Sequence, residues 1–143
     1  MERTERKINR GAPLACVRIA FASLCLLPII MRGAVFECPV TSKLESDGFV
    51  YGEERLQSMQ ASVVIHDGVQ PALERCSYAP SQGRVTCDRY PVDHVAYDEN
   101  VDLKKFYVFS SQFDVQLFSN LRFVENNGRG GISFGTCKLS TLE

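Results

Sequence analysis

Two β-strands joined by a short polar turn are encoded by the stretch Lys105-Phe-Tyr-Val-Phe-Ser-Ser-Gln-Phe-Asp-Val-Gln-Leu-Phe118. Phe113, Val115 and Leu117 alternate with polar residues, so they line one face of an extended strand. Residues 110–112 are polar and separate the two apolar runs, which predicts the turn between them. Such a pattern is typical of neighbouring strands in an antiparallel sheet with one face buried.

Similar runs lie on both sides of this stretch. Together they predict strands over residues 62–66, 84–90, 92–97, 105–109, 113–118, 121–124 and 132–137. Asn127-Gly128 predicts a hairpin turn, because both residue types tolerate a positive φ. One helix is predicted over 53–60, where Glu53 and Glu54 occupy the first turn and Leu56 and Met59 are three residues apart.

The amino-acid usage of the body agrees with these strands. Residues 35–143 contain 13 Val, 8 Phe and 5 Tyr but only 4 Ala, and branched and aromatic side chains favour strands over helices. The predicted fold class is mainly β, with α+β as the alternative. We expect a single antiparallel sheet domain, a sandwich or a small barrel, with one short N-terminal helix after a signal peptide.

The first 34 residues predict a secretory leader. Basic residues 3–18 precede a thirteen-residue apolar run over 19–31, which suits a signal peptide and is shorter than the ~20 residues that span a bilayer. Gly33 and Ala34 suggest a cut after Ala34, although Arg32 makes the exact position uncertain. The alternatives are an uncleaved anchor and an apolar helix without a targeting role. The predicted organisation is therefore a signal peptide over 1–34 and a disulfide-stapled domain over 35–143.

Charge and cysteine usage fit an exported protein. Residues 1–34 carry six basic and two acidic side chains, a net +4, and the remainder carries ten and fifteen, a net −5. This distribution argues against nucleic acid as a partner. Removing the leader leaves four cysteines, which permit three pairings in an oxidising compartment. Cys76–Cys87 with Cys38–Cys137 is preferred, the first closing a turn-rich loop over 77–83. The alternative is four buried free thiols.

The sequence contains no complete catalytic or cofactor-binding motif. Gly131-Ile-Ser-Phe-Gly135 matches the Gly-x-Ser-x-Gly nucleophile elbow formally, but no histidine follows it and the serine lies in a strand pattern. The glycine-rich stretch 128–131 lacks the following helix that a phosphate cradle needs. We therefore expect no enzymatic activity and no cofactor.

Neither a metal site nor a ligand pocket is specified by the sequence. His66 and His94 are too few for a typical zinc site, and Asp93, Asp98, Glu99 and Asp102 lack the spacing of a calcium loop. No metal is expected. A set of aromatic residues suits a β core better than a lipophilic pocket: Phe106, Tyr107, Phe109, Phe113, Phe118, Phe123 and Phe134. The polar loop with Glu125, Asn126, Asn127 and Arg129 is the predicted binding site.

Part of the chain resembles the VirK family of small exported bacterial proteins. The resemblance covers roughly residues 44–137 and rests on Cys87-Asp-Arg-Tyr90, Lys105-Phe-Tyr-Val-Phe109, Ser111-Gln-Phe-Asp-Val-Gln-Leu-Phe118 and Glu125-Asn-Asn-Gly-Arg-Gly130 with the glycine that follows. It implies an envelope or periplasmic location and a role in virulence regions of plant-associated bacteria. It implies no activity and no catalytic residues.

Three functional interpretations follow. The favoured one is an exported accessory protein, periplasmic or secreted, that binds an envelope component or a host-derived ligand and retains no membrane span after cleavage. The second is a small periplasmic hydrolase that uses paired carboxylates brought together by the fold. The third is a carrier of a small lipophilic ligand, which requires an open apolar cavity.

Overall fold

A computed structural model describes residues 33–140 of the chain. It is 59% strand and 9% helix, and its strands form a single antiparallel curled sheet, a half-barrel, with one short α-helix. The mainly β prediction is confirmed. The predicted leader lies outside the described residues except for its last two, Gly33 and Ala34. Ala34 opens the first strand and pairs with Asp67.

Ten strands and two helical segments follow one another along the described chain. In order they are β1 (Ala34–Leu44), α1 (Glu53–Met59), β2 (Ser62–Asp67), β3 (Ala72–Ala79), β4 (Arg84–Pro91), β5 (His94–Asp98), β6 (Leu103–Val108), a 3₁₀ turn (Phe109–Ser111), β7 (Phe113–Phe118), β8 (Arg122–Asn126), β9 (Ile132–Thr136) and β10 (Lys138–Ser140). The prediction of a helix after residue 52 is confirmed, and Leu56 is its buried residue.

The two halves of the curled sheet meet at β1, which pairs in both of them. The strand order of the sheet is β4-β3-β2-β1-β9-β8-β7-β6-β5, with β10 also paired to β1. The first part of β1 pairs with β2 and the second part with β9, across an irregularity between Val40 and Ser42. The outermost strands, β4 and β5, are separated only by Val92 and Asp93, so the two ends of the sheet meet at that corner.

The core lies on the inner face of the curled sheet. Phe113 and Val115 of β7 are buried against Phe106 of β6 and Phe123 of β8, all at most 2% exposed. Val63, Ile65 and Leu73 supply the other side of the same cluster. The alternation of Phe113, Val115 and Leu117 predicted from the sequence therefore places their side chains in the core.

Two disulfides each join neighbouring segments of the sheet. Cys76 of β3 and Cys87 of β4 are register partners, with their Cα atoms 4.0 Å apart. Cys38 of β1 is bonded to Cys137, which lies between β9 and β10, with a Cα–Cα distance of 3.9 Å. The pairing is the one that the sequence favours.

Three strands have no counterpart in the sequence prediction. β1 carries Pro39 and begins inside the predicted leader, and β10 is only three residues long. β3 contains the charged pair Glu74-Arg75 and continues to Ala79, so the prediction of a loop over 77–83 is wrong for its first three residues. The turn itself covers residues 80–83. Among the described residues, no helix is long and apolar enough to cross a membrane.

Candidate functional site

A polar cavity of about 290 Å³ opens on the inner face of the sheet, between the strands of its two halves. β3 and β4 form one wall, and β1, β8 and β9 form the other. The lining residues are Val40, Lys43, Met59, Ala61, Ser62, Arg75, Cys76, Ser77, Asp88, Tyr90, Glu125 and Ser133. Charged side chains of Lys43, Arg75, Asp88 and Glu125 line this cavity.

An ion pair joins the two walls. Arg75 Nε lies 2.5 Å from Glu125 Oε1, and only 5% of the Glu125 side chain is exposed. The guanidinium carbon of Arg75 lies 5.1 Å from the ring centre of Phe113, so the ring supports the cation from one side. Within the described chain, Glu125 Oε1 has no hydrogen-bond partner. The contact is thus an ion pair without an aligned hydrogen bond.

Several polar groups of the cavity have no protein partner within residues 33–140. The contacts of the Arg75 guanidinium are Glu125 and the Phe113 ring, which leaves its terminal NH₂ groups to donate elsewhere. Asp88 faces Arg75 across β3 and β4 in register but is exposed and forms no ion pair there. The lining charges, Lys43 and Arg75 against Asp88 and Glu125, sum to zero. The cavity therefore offers donors and acceptors to a ligand without favouring either sign of net charge.

Ser133 of the formal Gly-x-Ser-x-Gly match lies in this cavity, inside strand β9. Its register partners are Glu125 on β8 and Lys43 on β1, and it is 4% exposed. Gly135 serves packing, because a Cβ there would lie 2.1 Å from the carbonyl oxygen of Pro39. The serine therefore sits on a strand rather than on the strained strand-to-helix turn of a nucleophile elbow.

The predicted binding residues are divided between a strand and a loop. Glu125 and Asn126 belong to β8, and Glu125 points inward because it shares a face with Phe123. Asn127 and Arg129 lie in the loop that joins β8 to β9. The side-chain oxygen of Asn127 accepts hydrogen bonds from the backbone N–H groups of Arg129 and Gly131, at 2.8 and 2.9 Å. Arg129 is exposed at the loop tip.

Asn127→Ala is expected to cost about 1–2 kcal/mol of unfolding free energy, because two backbone N–H groups lose their acceptor. Arg129→Ala, in the same loop, is expected to change stability by less than about 0.5 kcal/mol. Urea unfolding of both variants tests this difference. Equal stability of the two variants would show that the loop does not depend on the Asn127 side chain.

A second polar cluster joins the end of β1 to α1. Two cations contact the Tyr51 ring, with Lys43 Nζ and the guanidinium carbon of Arg55 each 4.7 Å from its centre. Glu45 accepts hydrogen bonds from Lys43 and from the Tyr51 hydroxyl, which lower the pKa of its carboxyl group. Lys43 also lines the cavity, so this cluster borders the cavity wall.

A third cluster lies at the other end of the sheet. The Tyr97 hydroxyl donates a 2.7 Å hydrogen bond to Asp102 Oδ1. This bond, supported by Ser119, lowers the pKa of Asp102 below 3.8, and it raises the pKa of Tyr97 above 10.0. The contribution of Asp102 to stability is complete above its unfolded pKa and is lost as the pH falls through the folded pKa. The contribution of Tyr97 to stability is complete below about pH 10, and it is lost as the pH rises through the folded pKa of Tyr97.

Tyr97→Phe is expected to raise the pKa of Asp102 toward 3.8, because the phenolic donor is removed. The acid-side loss of stability that Asp102 contributes should become smaller, with the part due to Ser119 remaining. Carboxyl carbon NMR titration of Asp102 in the folded protein measures the shift directly. Tyr78→Phe is the matched control and should leave Asp102 unchanged, whereas an unchanged pKa in both variants would contradict the assignment.

The remaining candidates are not brought together into one site. His66 contacts Glu74 and Arg89 on β2–β4, whereas His94 lies beside Tyr107 on β5 and β6. Asp93 accepts a hydrogen bond from the backbone N–H of Phe109, and Asp98 from that of Asn100. These two carboxylates therefore stabilise turns, and Glu99 lies in the turn that follows Asp98.

The seven aromatic residues do not line a common pocket. Phe106, Phe113 and Phe123 fill the core, whereas Tyr107 stacks beside Phe109 on the surface. Phe118 and Phe134 line an open groove of about 550 Å³ together with Phe123.

Sequence reasoning missed most of the cavity. Arg75 falls in a strand that was not predicted, and Asp88 was recognised only as a strand residue. Tyr90 supported the family resemblance without a role of its own. Alternation along β4 gives a usable signal, because Asp88 and Tyr90 share a face, but the partner strand must be known to place Arg75 opposite.

Comparison of the chain with models of protein families, with curated proteins and with solved structures found no match in any of the three.

Proposed function

We propose that the protein is an exported, non-enzymatic accessory protein that binds a small polar ligand in the cavity between Arg75 and Glu125. The supporting observation is the buried Glu125 paired across the cavity with an arginine whose terminal donors have no partner within the described part of the chain. Mouths of barrel-like folds are common positions for small-ligand sites. The two disulfides are compatible with residence in an oxidising compartment, the periplasm or the exterior.

The ligand class follows from the lining groups. Arginine donors, carboxylate acceptors and the Ser133 hydroxyl stand in one cavity with a net charge of zero. A molecule that is neutral overall and carries both donors and acceptors, such as a sugar or an amino-acid zwitterion, satisfies these groups best. The resemblance to the VirK family supports a host-associated bacterium as the setting, with an envelope component or a host-derived compound as the source of the ligand.

Thermal unfolding in the presence of monosaccharides, L-amino acids and short organic acids tests this function. A ligand at tenfold excess over its Kd stabilises the folded state by about 1.4 kcal/mol, which raises the Tm by several degrees. We expect a neutral or zwitterionic compound to do so. The shift should be lost in Asp88→Asn, which removes a cavity carboxylate that is exposed and forms no ion pair among the described residues.

Asp98→Asn is the matched control, because that carboxylate lies outside the cavity and asparagine keeps the acceptor for the Asn100 backbone. It should respond to the ligand as the unmodified protein does. The proposal fails if no compound of the panel shifts the Tm. It also fails if Asp88→Asn retains the full shift.

A further inference from the structure

The outer face of the sheet carries a second cluster, which shares only Cys76 with the lining of the cavity. Glu74 and Cys76 share this face of β3, whereas Arg75 between them points to the inner face. Cys87 is the register partner of Cys76. A carboxylate oxygen of Glu74 and the two sulfur atoms all lie within 4.8 Å of one another, and this is the one such group of potential metal ligands in the described structure.

Two neighbouring side chains hold the Glu74 carboxylate in place. His66 Nε2 lies 3.1 Å from Glu74 Oε1, and Arg89 Nη1 lies 2.5 Å from the same oxygen. Arg89 is on β4, two residues from Cys87, and its side chain is 55% exposed. Contacts from both flanking strands therefore orient the carboxylate beside the sulfurs, and the exposed Arg89 guanidinium pairs with its charge.

The two disulfides differ in their access to solvent. Cys87 is exposed on β4, which pairs only with β3 in the described sheet. Cys38 is 0% and Cys137 is 2% exposed. Thiol–disulfide exchange requires that a thiolate reach a sulfur atom. A reductant therefore meets Cys76–Cys87 before Cys38–Cys137.

We propose that reduction of Cys76–Cys87 converts this cluster into a binding site for a thiophilic divalent cation, Zn²⁺, held by Cys76, Cys87 and Glu74. A dithiol transfers two electrons and two protons to the disulfide, giving two thiols and its own cyclic disulfide. Binding of Zn²⁺ then displaces both thiol protons to solvent. Water occupies the fourth position, as in a zinc site with three protein ligands.

The geometry and charge of the reduced cluster suit this ion. Tetrahedral coordination with Zn–S bonds of about 2.3 Å requires the two sulfurs to lie about 3.8 Å apart. Rotation about the Cα–Cβ bonds of two facing strand residues supplies that separation. Two thiolates and one carboxylate balance the positive charge of the ion. Arg89 must release the Glu74 carboxylate, because the guanidinium and the metal compete for the same oxygen.

Limited reduction followed by cobalt titration tests the site, with Co²⁺ as the spectroscopic substitute for Zn²⁺. Intact mass should first show a gain of two hydrogens with Cys38–Cys137 still bonded. The reduced protein should then bind one Co²⁺ with a thiolate-to-cobalt charge-transfer band that Zn²⁺ abolishes. The oxidised protein and the Cys76→Ser/Cys87→Ser variant should lack the band.

Substitutions of Glu74 and of the neighbouring Arg89 should change the affinity for Co²⁺ in opposite directions. Glu74→Gln removes a ligand and should weaken Co²⁺ binding about tenfold or more. Arg89→Gln removes the competing cation and should strengthen it about threefold. Arg84→Gln is the control, because it removes the same charge from the other end of β4. An unchanged affinity in both Glu74→Gln and Arg89→Gln would overturn the assignment of Glu74.

Three other results would overturn the proposal as a whole. One is reduction of Cys38–Cys137 before Cys76–Cys87, and another is a cobalt band that persists in the double serine variant. The third is a reduced protein that loses its near-ultraviolet circular dichroism and does not regain it when saturating Zn²⁺ is added. A reduced chain that stays unfolded with Zn²⁺ has no such site.

Discussion

Replacing Cys38 and Cys137 together by alanine is expected to lower the free energy of unfolding by about 4–5 kcal/mol. The bond closes a loop with a sequence separation of 99, so its removal releases a large amount of chain entropy in the unfolded state. Both residues are buried in the core, where the smaller alanines also leave a void. For a domain whose total stability is about 5–15 kcal/mol, this is a major loss.

Urea unfolding without reductant measures the effect, with Cys76→Ala/Cys87→Ala as the matched control. That bond spans a separation of 11, and the same entropy relation gives about 2.8 kcal/mol. The Cys38/Cys137 variant should therefore be the less stable of the two by about 2 kcal/mol. An equal or smaller loss than in the control would mean that β1 and the segment between β9 and β10 are held together without the buried bond.

The parts of the fold that were predicted correctly are those with local patterns. β7 is an example, because alternating apolar and polar residues fix both its existence and its buried face. The even number of cysteines in the body likewise limited their pairing to three arrangements. β1 was missed because Pro39 disfavours a central strand, although here it lies where β1 passes from one half of the sheet to the other. β3 was missed because Glu74-Arg75 interrupts its apolar pattern.

The candidate site was less predictable because it depends on contacts between distant segments. Arg75 and Glu125 are 50 positions apart, and β3 and β8 are not neighbours in the sheet order. Nothing local distinguishes Glu125 from the exposed polar residues that follow it. Its inward direction is set by the register of β8 against β7 and β9, which only the complete sheet defines. Sequence reasoning therefore singled out Glu125 but placed it in the loop, whereas it belongs to β8.

Arg75→Leu is expected to destabilise the protein by about 3 kcal/mol, because it leaves the buried Glu125 carboxylate without its counter-charge. Replacing one partner of a buried pair exposes the full desolvation cost of the other. The desolvation cost of the unpaired Glu125 carboxylate is lower here than in a fully buried site, because 37% of the Arg75 side chain is exposed and water can approach the pair. Glu125→Leu is expected to cost less, because the remaining guanidinium can turn toward solvent while it keeps its contact with Phe113.

The double variant Arg75→Leu/Glu125→Leu completes the thermodynamic cycle. With both charges removed, its stability should return to within about 1 kcal/mol of the unmodified protein, since apolar residues of suitable size often replace a buried ion pair without loss. Urea unfolding of the four proteins gives the coupling energy. If the two single losses simply add in the double variant, the pair is not coupled and Glu125 is stabilised by other groups. If the double variant keeps its stability but no longer responds to the ligand that shifts the Tm of the unmodified protein, then the two charges are retained for binding rather than for folding.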